Sequence, residues 1–456
     1  MKRLLAACCL GLALGGCSAL SGVLPNGNST GGASSAASST PVPLVVPDSV
    51  EQALAANLPT HEAASDLTWD AAGEIPVALS DSGSSGQGVQ VVGQVVTITT
   101  PGDYRLTGSL SDGQLVVDTD QAGVVRLIFD GASVTCGTSS ALWAKNADKV
   151  VVWLADGSRN SLTDAESYAA GADTEPDAAL FSAVDLTIAG PGSLTVNGRA
   201  GDAITGKDGL VVAGGVLDVT AADDAIKGRD YLVVRDGSIK LAAGGDAMTS
   251  TNDSDEAAGY VLVSGGSVDA AAGADCVDAV TDAIVTGGEL KLSCGDDGIH
   301  GDRLTMVSDG RIDIAKGYEG LEAAAVVLFG GEISVVASDD GVNAANGGTL
   351  SVQDAWPGGQ ATPDSGRWGR GGQGLGRGGG WGGGETPEDA ALVIAGGKLT
   401  VTAQGDGLDS NGTAAISGGT IVLDVPNRGM EGPIDVVGDF TITGGTITDP
   451  DGNPIK

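Results

Sequence analysis

The sequence predicts an all-β protein, a parallel β-helix of about 22 residues per coil, from one fixed repeat and one alternation of residue types. Eight acidic residues, which we call the acid column, recur at the same place in the repeat: Asp202, Asp224, Asp246, Asp275, Asp297, Glu319, Asp340 and Asp406. Their successive gaps are 22, 22, 29, 22, 22, 21 and 66 residues. The 29 is one unit with a seven-residue insertion, and the 66 contains a Gly-rich stretch near 356–384. A fixed period of this length indicates a solenoid whose repeats pack mainly on their neighbours.

The alternation follows a Gly-containing turn in each unit. Gly-Gly-Glu-Leu-Lys-Leu at 287–292 and Gly-Gly-Lys-Leu-Thr-Val at 396–401 are examples. Alternation with period two predicts a half-buried strand. The residues after each acid predict a second short strand, and runs such as Leu210–Val212 predict a third. Three short strands per unit predict a β-helix, because a four-stranded propeller blade needs about twice this period.

The first residues are predicted to be a targeting segment rather than part of the fold. Two basic residues precede an apolar run from Leu4 to Leu14, which is too short to span a bilayer. The run ends in Leu-Gly-Gly-Cys at 14–17, which resembles a bacterial lipobox. We therefore predict a lipoprotein signal peptide at 1–16 and lipidation of Cys17. An ordinary secretory signal is the alternative.

Three parts of the chain follow from this start. Residues 17–65 are predicted to be the lipidated cysteine and a flexible linker rich in small and polar residues. Residues 66–456 are predicted to be one β-helix domain, interrupted by the Gly/Arg/Trp-rich insertion near 356–384. The predicted location is extracytoplasmic, lipid-anchored to a bacterial membrane at the cell surface.

The charge and the cysteines restrict the partners. A net charge of −36, from 23 basic and 59 acidic residues, argues against nucleic acid and anionic lipid and fits cations or ligands reached through cations. Membrane contact is expected through the lipid anchor only, and the protein is expected to be a monomer. Cys136, Cys276 and Cys294 remain after the signal and the lipid anchor. Cys276 and Cys294 fall at different phases of the repeat, so we predict buried thiols rather than a disulfide.

The acid column predicts a bound cation. Stacked coils place the carboxylates ~4.8 Å apart, where two of them repel by ~3.5 kcal/mol at an effective dielectric constant of 20. Asp beside Gly is also a common turn residue, which is the structural alternative. Ligands that are all oxygen, with almost no His, favour calcium over magnesium or a transition metal. The predicted calcium ligands are Asp223, Asp224, Asp275, Asp278, Asp296, Asp297, Glu319, Glu322, Asp339 and Asp340.

Several motifs follow one another in an order that resembles a known family. They include Asp-Asp-Ala-Ile-Lys-Gly at 223–228, Asp-Gly-Ile-His at 297–300, Tyr-Glu-Gly-Leu-Glu-Ala at 318–323 and Ser-Asp-Asp-Gly-Val-Asn-Ala-Ala at 338–345. Over roughly residues 66–450 the chain resembles the bacterial surface lipoproteins called carbohydrate-binding domain-containing proteins. The resemblance implies a right-handed parallel β-helix, related in fold to family-nine pectate lyases. It also implies calcium ions and binding of plant cell-wall polysaccharides, acidic pectic ones included.

Two departures from the family stand out. The Gly/Arg/Trp stretch at 356–384 is an insertion, and Arg428 stands where the next acid of the column is expected, so we predict that the column ends there.

Lys227 is the candidate catalytic residue, because it follows Asp223 and Asp224 within one turn. In family-nine pectate lyases calcium acidifies the C5 proton of the sugar and a lysine removes it, so the resemblance implies a possible base here. The alternative is an ion pair between Lys227 and the neighbouring carboxylates, which raises the proton affinity of the lysine and disfavours a base at neutral pH. We predict the ion pair and no catalytic residue.

Other residues are candidate polysaccharide contacts. Trp faces stack on sugar rings and Arg pairs with carboxylates. The candidate contacts in the insertion are therefore Arg367, Trp368, Arg370 and Trp381. A loop that only decorates the surface is the alternative. His300 could bind a metal or a sugar, with a surface turn residue as the alternative. The acidic insertion at 249–259 could wall a site or be a solvated loop.

Together these features predict calcium-dependent binding of a cell-wall polysaccharide, acidic and pectin-like, at the bacterial cell surface and without catalysis. One alternative is calcium-dependent β-elimination of the pectate-lyase type. The other is a non-catalytic surface spacer or adhesin whose acids only keep it in solution.

Overall fold

The computed structural model describes residues 44–168, 175–346, 388–426 and 432–455, and these residues form a parallel β-helix. The prediction of an all-β solenoid is confirmed. Each coil contributes three strands, and the strands of successive coils pair in parallel, so that three long faces run along the molecule.

Face 1 precedes the acids of the column, face 2 follows them, and face 3 closes each coil. Face 1 comprises Arg159–Thr163, Ser193–Gly198, Val216–Ala221, Ser238–Ala242, Ser267–Ala271, Glu289–Ser293, Arg311–Gly317, Glu332–Ala337, Lys398–Thr402, Thr420–Asp424 and Thr446–Thr448. Face 2 comprises Val95–Ile98, Gln114–Asp118, Leu142–Asn146, Ala178–Ser182, Asp202–Gly206, Ile226–Gly228, Met248–Ser250, Val277–Ala279, Val342–Ala344, Leu408–Ser410 and Ile434–Val436. Face 3 comprises Lys149–Leu154, Leu186–Ala189, Gly209–Val212, Tyr231–Val234, Tyr260–Val263, Asp282–Val285, Ala391–Ile394, Thr413–Ile416 and Phe440–Ile442. Two long strands, Ile299–Val307 and Leu321–Leu328, run through face 2 into face 3.

The first coils are irregular. They comprise strands Ile75–Ser80, Ser85–Gly86, Val89–Val92, Gly102–Leu110 and Val124–Thr135, which follow one α-helix, Val50–Ala55, and the 3₁₀ turns Ala64–Leu67 and Ala71–Gly73. Two antiparallel pairings occur here, one of them between Val89–Val92 and Val95–Ile98.

The core explains why the acids align. The residue two places after each acid is apolar and buried, and these residues stack in register inside the coils: Ile204, Ile226, Met248, Val277, Ile299, Leu321, Val342 and Leu408. Burying each aliphatic side chain contributes about 1.5–3 kcal/mol. Because side chains alternate across a strand, the next residue faces outward in every coil. A one-residue slip would turn the whole apolar stack to solvent, so the register is fixed.

The predicted Gly turns are present at the start of face 1. Gly288 and Gly397 have φ of 95° and 82°. A Cβ on Gly397 would lie 2.7 Å from the carbonyl oxygen of Gly330 in the preceding coil, so the close stacking of turns also requires glycine there.

Residues 44–67, which we call the strap, lie along the outer side of face 3. That side is apolar, with Val211, Val233, Leu262, Ile284, Met306 and Val327 in the same hydrophobic cluster as Leu44, Val46, Val50 and Leu58 of the strap. The backbone N–H of Leu44 donates to Asp389 (3.0 Å), and Arg126 donates to the carbonyl of Asp66 (2.9 Å). The folded unit therefore begins upstream of the predicted boundary at residue 66.

The prediction of free, buried thiols is confirmed for Cys136 and wrong for Cys276 and Cys294. Cys276 and Cys294 form a disulfide with a Cα–Cα distance of 5.5 Å, whereas Cys136 is free and buried. The two cysteines meet although they occupy different positions of the repeat. Cys276 directly follows the column acid Asp275, and Cys294 shortly precedes the column acid Asp297 of the next coil. Both side chains point into the core there.

Two other expectations also need correction. The insertion after Met248–Ser250 does not lie beside the acid column: it lies at the turn into face 3, where the carbonyl of Ala257 accepts from the N–H of Leu58 in the strap (2.7 Å). The column position of the last coil is Gly432, whose N–H donates to Asp406 Oδ1 (2.5 Å). Arg428, the residue predicted for that position, lies outside the described residues, and the spacing from Asp406 to Gly432 is longer than the usual period.

No helix of the described ranges is long and apolar enough to cross a membrane.

Candidate metal centre

The acid column is joined by hydrogen bonds between side chain and backbone. The N–H of an acid donates to the Oδ1 of the acid one coil earlier: Asp224 to Asp202 (3.1 Å), Asp246 to Asp224 (2.9 Å), Asp275 to Asp246 (2.9 Å), Asp297 to Asp275 (2.7 Å), Glu319 to Asp297 (3.0 Å) and Asp406 to Asp340 (2.6 Å). Such charge-assisted bonds are stronger than neutral ones. The backbone N–H groups therefore offset part of the repulsion between the stacked carboxylates.

A second column runs beside the first, on the outer side of face 2. It contains the residue three places after each column position, and the strand register aligns these residues: Thr205, Lys227, Thr249, Asp278, His300, Glu322, Asn343, Asp409 and Asp435. The two columns bring carboxylate oxygens from neighbouring coils together.

Lys227 forms ion pairs with two acids of the column, Asp202 and Asp224. Its Nζ lies 2.9 Å from Asp224 Oδ2 and 3.5 Å from Asp202 Oδ2. Burial alone would lower the pKa of Lys227, but Asp202 and Asp224 outweigh burial and raise it above the ordinary lysine value. Burial raises the pKa of Asp202 to about 7 against the opposing effect of Lys227. Asp202, Asp223 and Asp224 could still present oxygens to a cation, with Asp223 exposed.

His300 is not a surface turn residue. It lies on the strand Ile299–Val307 with its side chain 19% exposed, and its Nδ1 is 3.0 Å from Asp278 Oδ1. Its Nε2 is 3.7 Å from Glu322 Oε2. Burial would lower the pKa of His300, but Asp278 and Glu322 outweigh burial and raise it well above the ordinary value. His300 therefore bridges two predicted ligands, and with Asp275 and Asp278 it forms a group able to hold a metal.

The densest cluster consists of Asp297, Glu319 and Glu322, whose ligand oxygens all lie within 4.8 Å of one another. Glu319 is 8% exposed; its Oε1 accepts from Asn343 Nδ2 (3.1 Å), and its buried Oε2 has no hydrogen-bond partner. Burial, followed by the charge of Glu322, raises the pKa of Glu319 well above the ordinary value. Burial also raises the pKa of Glu322 to about 8, against the effect of His300. A buried carboxylate oxygen without a partner is costly, so this cluster fits a bound hard cation.

The remaining predicted ligands extend this cluster. Asp275, Asp296 and Asp297 form another group within the same distance, and burial raises the pKa of Asp275 well above its ordinary value. Asp340 accepts from the N–H of Asp406, and Asp339 accepts from the hydroxyl of Tyr318, which raises the pKa of that tyrosine.

Four residues that were not predicted as ligands belong to groups that could hold a metal: Asp202, Asp406, Asp409 and Asp435. The amide of Asn343, also not predicted, contacts Glu319 of the densest cluster. Asp435 joins Asp406 and Asp409 in a further group. The fixed spacing did not identify Asp435, because its coil is longer than the 22-residue repeat. Asn343 carried no charge to attract notice, although its place three residues after Asp340 was a usable signal.

Five predicted residues lie outside the described ranges. They are Cys17, Arg367, Trp368, Arg370 and Trp381.

Comparison with known proteins gives consistent matches. A family model described as carbohydrate-binding domain-containing protein matches residues 92–358. A carbohydrate-binding domain-containing protein of Acetivibrio thermocellus is 39% identical over 136 residues, which are 29% of this chain and 48% of the relative, so the match spans about half of that relative. The solved polysaccharide lyase-like protein from C. thermocellum, a gadolinium derivative, is similar with a TM-score of 0.50 and 30% identity. That likeness covers 51% of this chain and 96% of the solved one.

Proposed function

The chain belongs to the carbohydrate-binding domain-containing protein family, and from that premise we propose that it binds acidic cell-wall polysaccharide through calcium ions without cleaving it. The observation that supports calcium is the carboxylate of Glu319: its Oε2 is buried without a hydrogen-bond partner, and the residue clusters within 4.8 Å of carboxylate oxygens of Asp297 and Glu322. Carboxylate and amide oxygens at this density are the ligand set of calcium. The ion would be held by Asp297, Glu319 and Glu322.

The charge pattern of face 1 supports a functional role for these acids. Its outward residues alternate in sign from coil to coil: Asp218, Lys240, Asp269, Lys291 and Asp313. Alternating signs suffice to keep a face solvated and avoid repulsion between neighbouring strands. The two columns at face 2 instead concentrate negative charge. Acids that only kept the protein in solution would not need this arrangement, which disfavours the spacer alternative.

The polysaccharide would be reached through the metal. Glu322 and Asp296 are half-buried, so coordination positions on their outer side face solvent, where hydroxyl and carboxylate oxygens of a sugar could bind. A chain with a net charge of −36 repels a polyanion unless cations lie between them. An acidic polymer is therefore expected to need calcium for binding, and a neutral one is not.

Lys227 is not placed to be a base. Its ammonium is paired with Asp202 and Asp224, and its raised pKa keeps it protonated at neutral pH. The lyase-like description belongs to the solved relative, and the absence of cleavage by this chain remains part of the proposal.

The location is also part of the proposal. We propose an extracytoplasmic protein anchored through lipid on Cys17. The disulfide between Cys276 and Cys294 supports an oxidising compartment, because such bonds are rare in the cytosol.

The test is retention on polygalacturonate and on a neutral wall glucan, each with calcium and with chelator. We expect retention on polygalacturonate that chelator abolishes, and no rise in ultraviolet absorbance from unsaturated products. Glu322→Gln should reduce retention, whereas Glu289→Gln, a matched change on exposed face 1, should not. Absorbance that rises and is abolished by Lys227→Ala would establish the lyase alternative, and retention on neither polymer would establish the spacer.

A further inference from the structure

The last described coils carry a group of acids that lies beyond the family-matched residues. Oxygens of Asp406, Asp409 and Asp435 all lie within 4.8 Å of one another, whereas the family model ends at residue 358. Asp406 belongs to the acid column, and the other two are consecutive members of the second column. All three residues therefore follow the part of the chain that the family model matches.

A buried neutral oxygen lies in the coil that precedes this group. Asn343 is 8% exposed, and its buried Oδ1 has no hydrogen-bond partner. Its Nδ2 donates to Glu319 Oε1 in the preceding coil (3.1 Å). The oxygen is on the opposite arm of the planar amide, so it is directed to the following coil, where Asp409 is the strand partner of Asn343. A buried carbonyl oxygen without a donor is expensive unless a cation binds it.

The electrostatics of Asp409 differ from those of Lys227 and His300 in the same column. Those two residues place a cation and an imidazole among the acids of earlier coils. Burial, followed by the charges of Asp340, Asp406 and Asp435, raises the pKa of Asp409 to about 8. The second column here consists of two successive carboxylates, which repel one another.

We propose that Asp406, Asp409 and Asp435, with the amide oxygen of Asn343, form a separate calcium site that joins the coil before the insertion to the two coils after it. Three carboxylates and one carbonyl are a hard, all-oxygen set. Asp409 and Asp435 are half-buried, which leaves room for water ligands. The identity of the ion rests on the proposed function, but the site rests on its own contacts. Its role is structural: it fastens the coils across the 347–387 segment.

The experiment compares calcium stoichiometry and affinity, by isothermal titration calorimetry on the full folded chain, in five proteins. They are wild type, Asp409→Asn, Asp435→Asn, Glu322→Gln and the control Asp439→Asn, an exposed acid in the same coil as Asp435. Asp409→Asn and Asp435→Asn should each lose one ion per chain or bind it ~10-fold more weakly or worse. Asp439→Asn should match wild type. Hydrogen exchange of residues 398–424 should speed up in Asp409→Asn and Asp435→Asn only. The circular dichroism spectra of both variants in chelator should match that of wild type.

The outcomes separate this site from the proposed function. If Asp409→Asn and Asp435→Asn bind calcium as wild type does while Glu322→Gln loses an ion, the inference is wrong and the proposed function stands. If Glu322→Gln also binds as wild type does, the calcium of the proposed function is wrong too. A double variant, Glu322→Gln with Asp409→Asn, should lose both ions; loss of one ion only would mean that the two clusters share one site.

Discussion

Replacing Glu319 by glutamine should change stability in opposite directions with and without calcium. Glu319 lies within 4.8 Å of both Asp297 and Glu322, so in chelator it takes part in two repulsive pairs. Each pair is worth at most ~3.5 kcal/mol at an effective dielectric constant of 20. Glutamine keeps the oxygen that Asn343 requires and removes the charge. Because part of the repulsion is relieved by protonation in wild type, we expect a gain of ~1–3 kcal/mol in chelator.

Saturating calcium should reverse this order. A ligand at 100 times its dissociation constant stabilises wild type by ~2.7 kcal/mol per site, and Glu319→Gln should lose most of that contribution. Differential scanning calorimetry in chelator and in calcium measures both effects, and Glu289→Gln on face 1 is the control. A variant destabilised equally in both conditions would refute the reasoning, since Glu319 would then contribute packing and hydrogen bonding rather than a metal ligand.

Three further predictions follow from other contacts. Lys227→Met should lower the free energy of unfolding by ~2 kcal/mol, because it leaves Asp202 and Asp224 uncompensated; chemical denaturation measures this, and no loss would contradict the ion pair. Replacing both Cys276 and Cys294 by serine should cost ~3 kcal/mol for a separation of 18 residues, and thiol titration of the unfolded wild type should gain two thiols on reduction. Burial would raise the pKa of Asp66, but Lys149 (2.7 Å) and the N–H of Ala63 (2.8 Å) outweigh it and hold the pKa below its ordinary value. That stability is present above the unfolded pKa and is lost as pH falls through the folded one, so acid unfolding below about pH 4 should be less pH-dependent in Asp66→Asn.

The fold could be predicted because every coil of a solenoid repeats the same local sequence pattern. The spacing of the acids and the apolar residue two places later set the coil length and the face that is buried. The second column followed from the same spacing, and Asp278, Glu322 and Asp409 stood out in the sequence as its acidic members. Period-two alternation and Gly turns are local signals, and they survive in every coil.

Features that depend on three-dimensional stacking could not be predicted. The Oδ1 bonds of the acid column depend on the rotamer of each carboxylate, which no spacing encodes. Cys276 and Cys294 meet because both flank one corner from adjacent coils, although their phases differ. The place of Gly432 depends on the length of one coil, and a fixed count of 22 residues pointed to Arg428 instead. The feature that marks Asn343 is an amide oxygen that is buried without a hydrogen-bond donor, and no sequence pattern indicates it.

The strap gives this protein a folding order that its coils alone would not have. Contacts within a solenoid are local, so coils can nucleate anywhere and propagate. The bond from Leu44 to Asp389, in contrast, joins residues 345 apart. During synthesis the strap leaves the ribosome before the coils, yet its docking surface on face 3 is complete only when the coil of Ala391–Ile394 has formed. Until then the apolar outer side of face 3 is uncovered, a state in which nascent chains aggregate. The strap is thus made before the coils and packed after them, and refolding should show a late phase in which the strap docks on face 3.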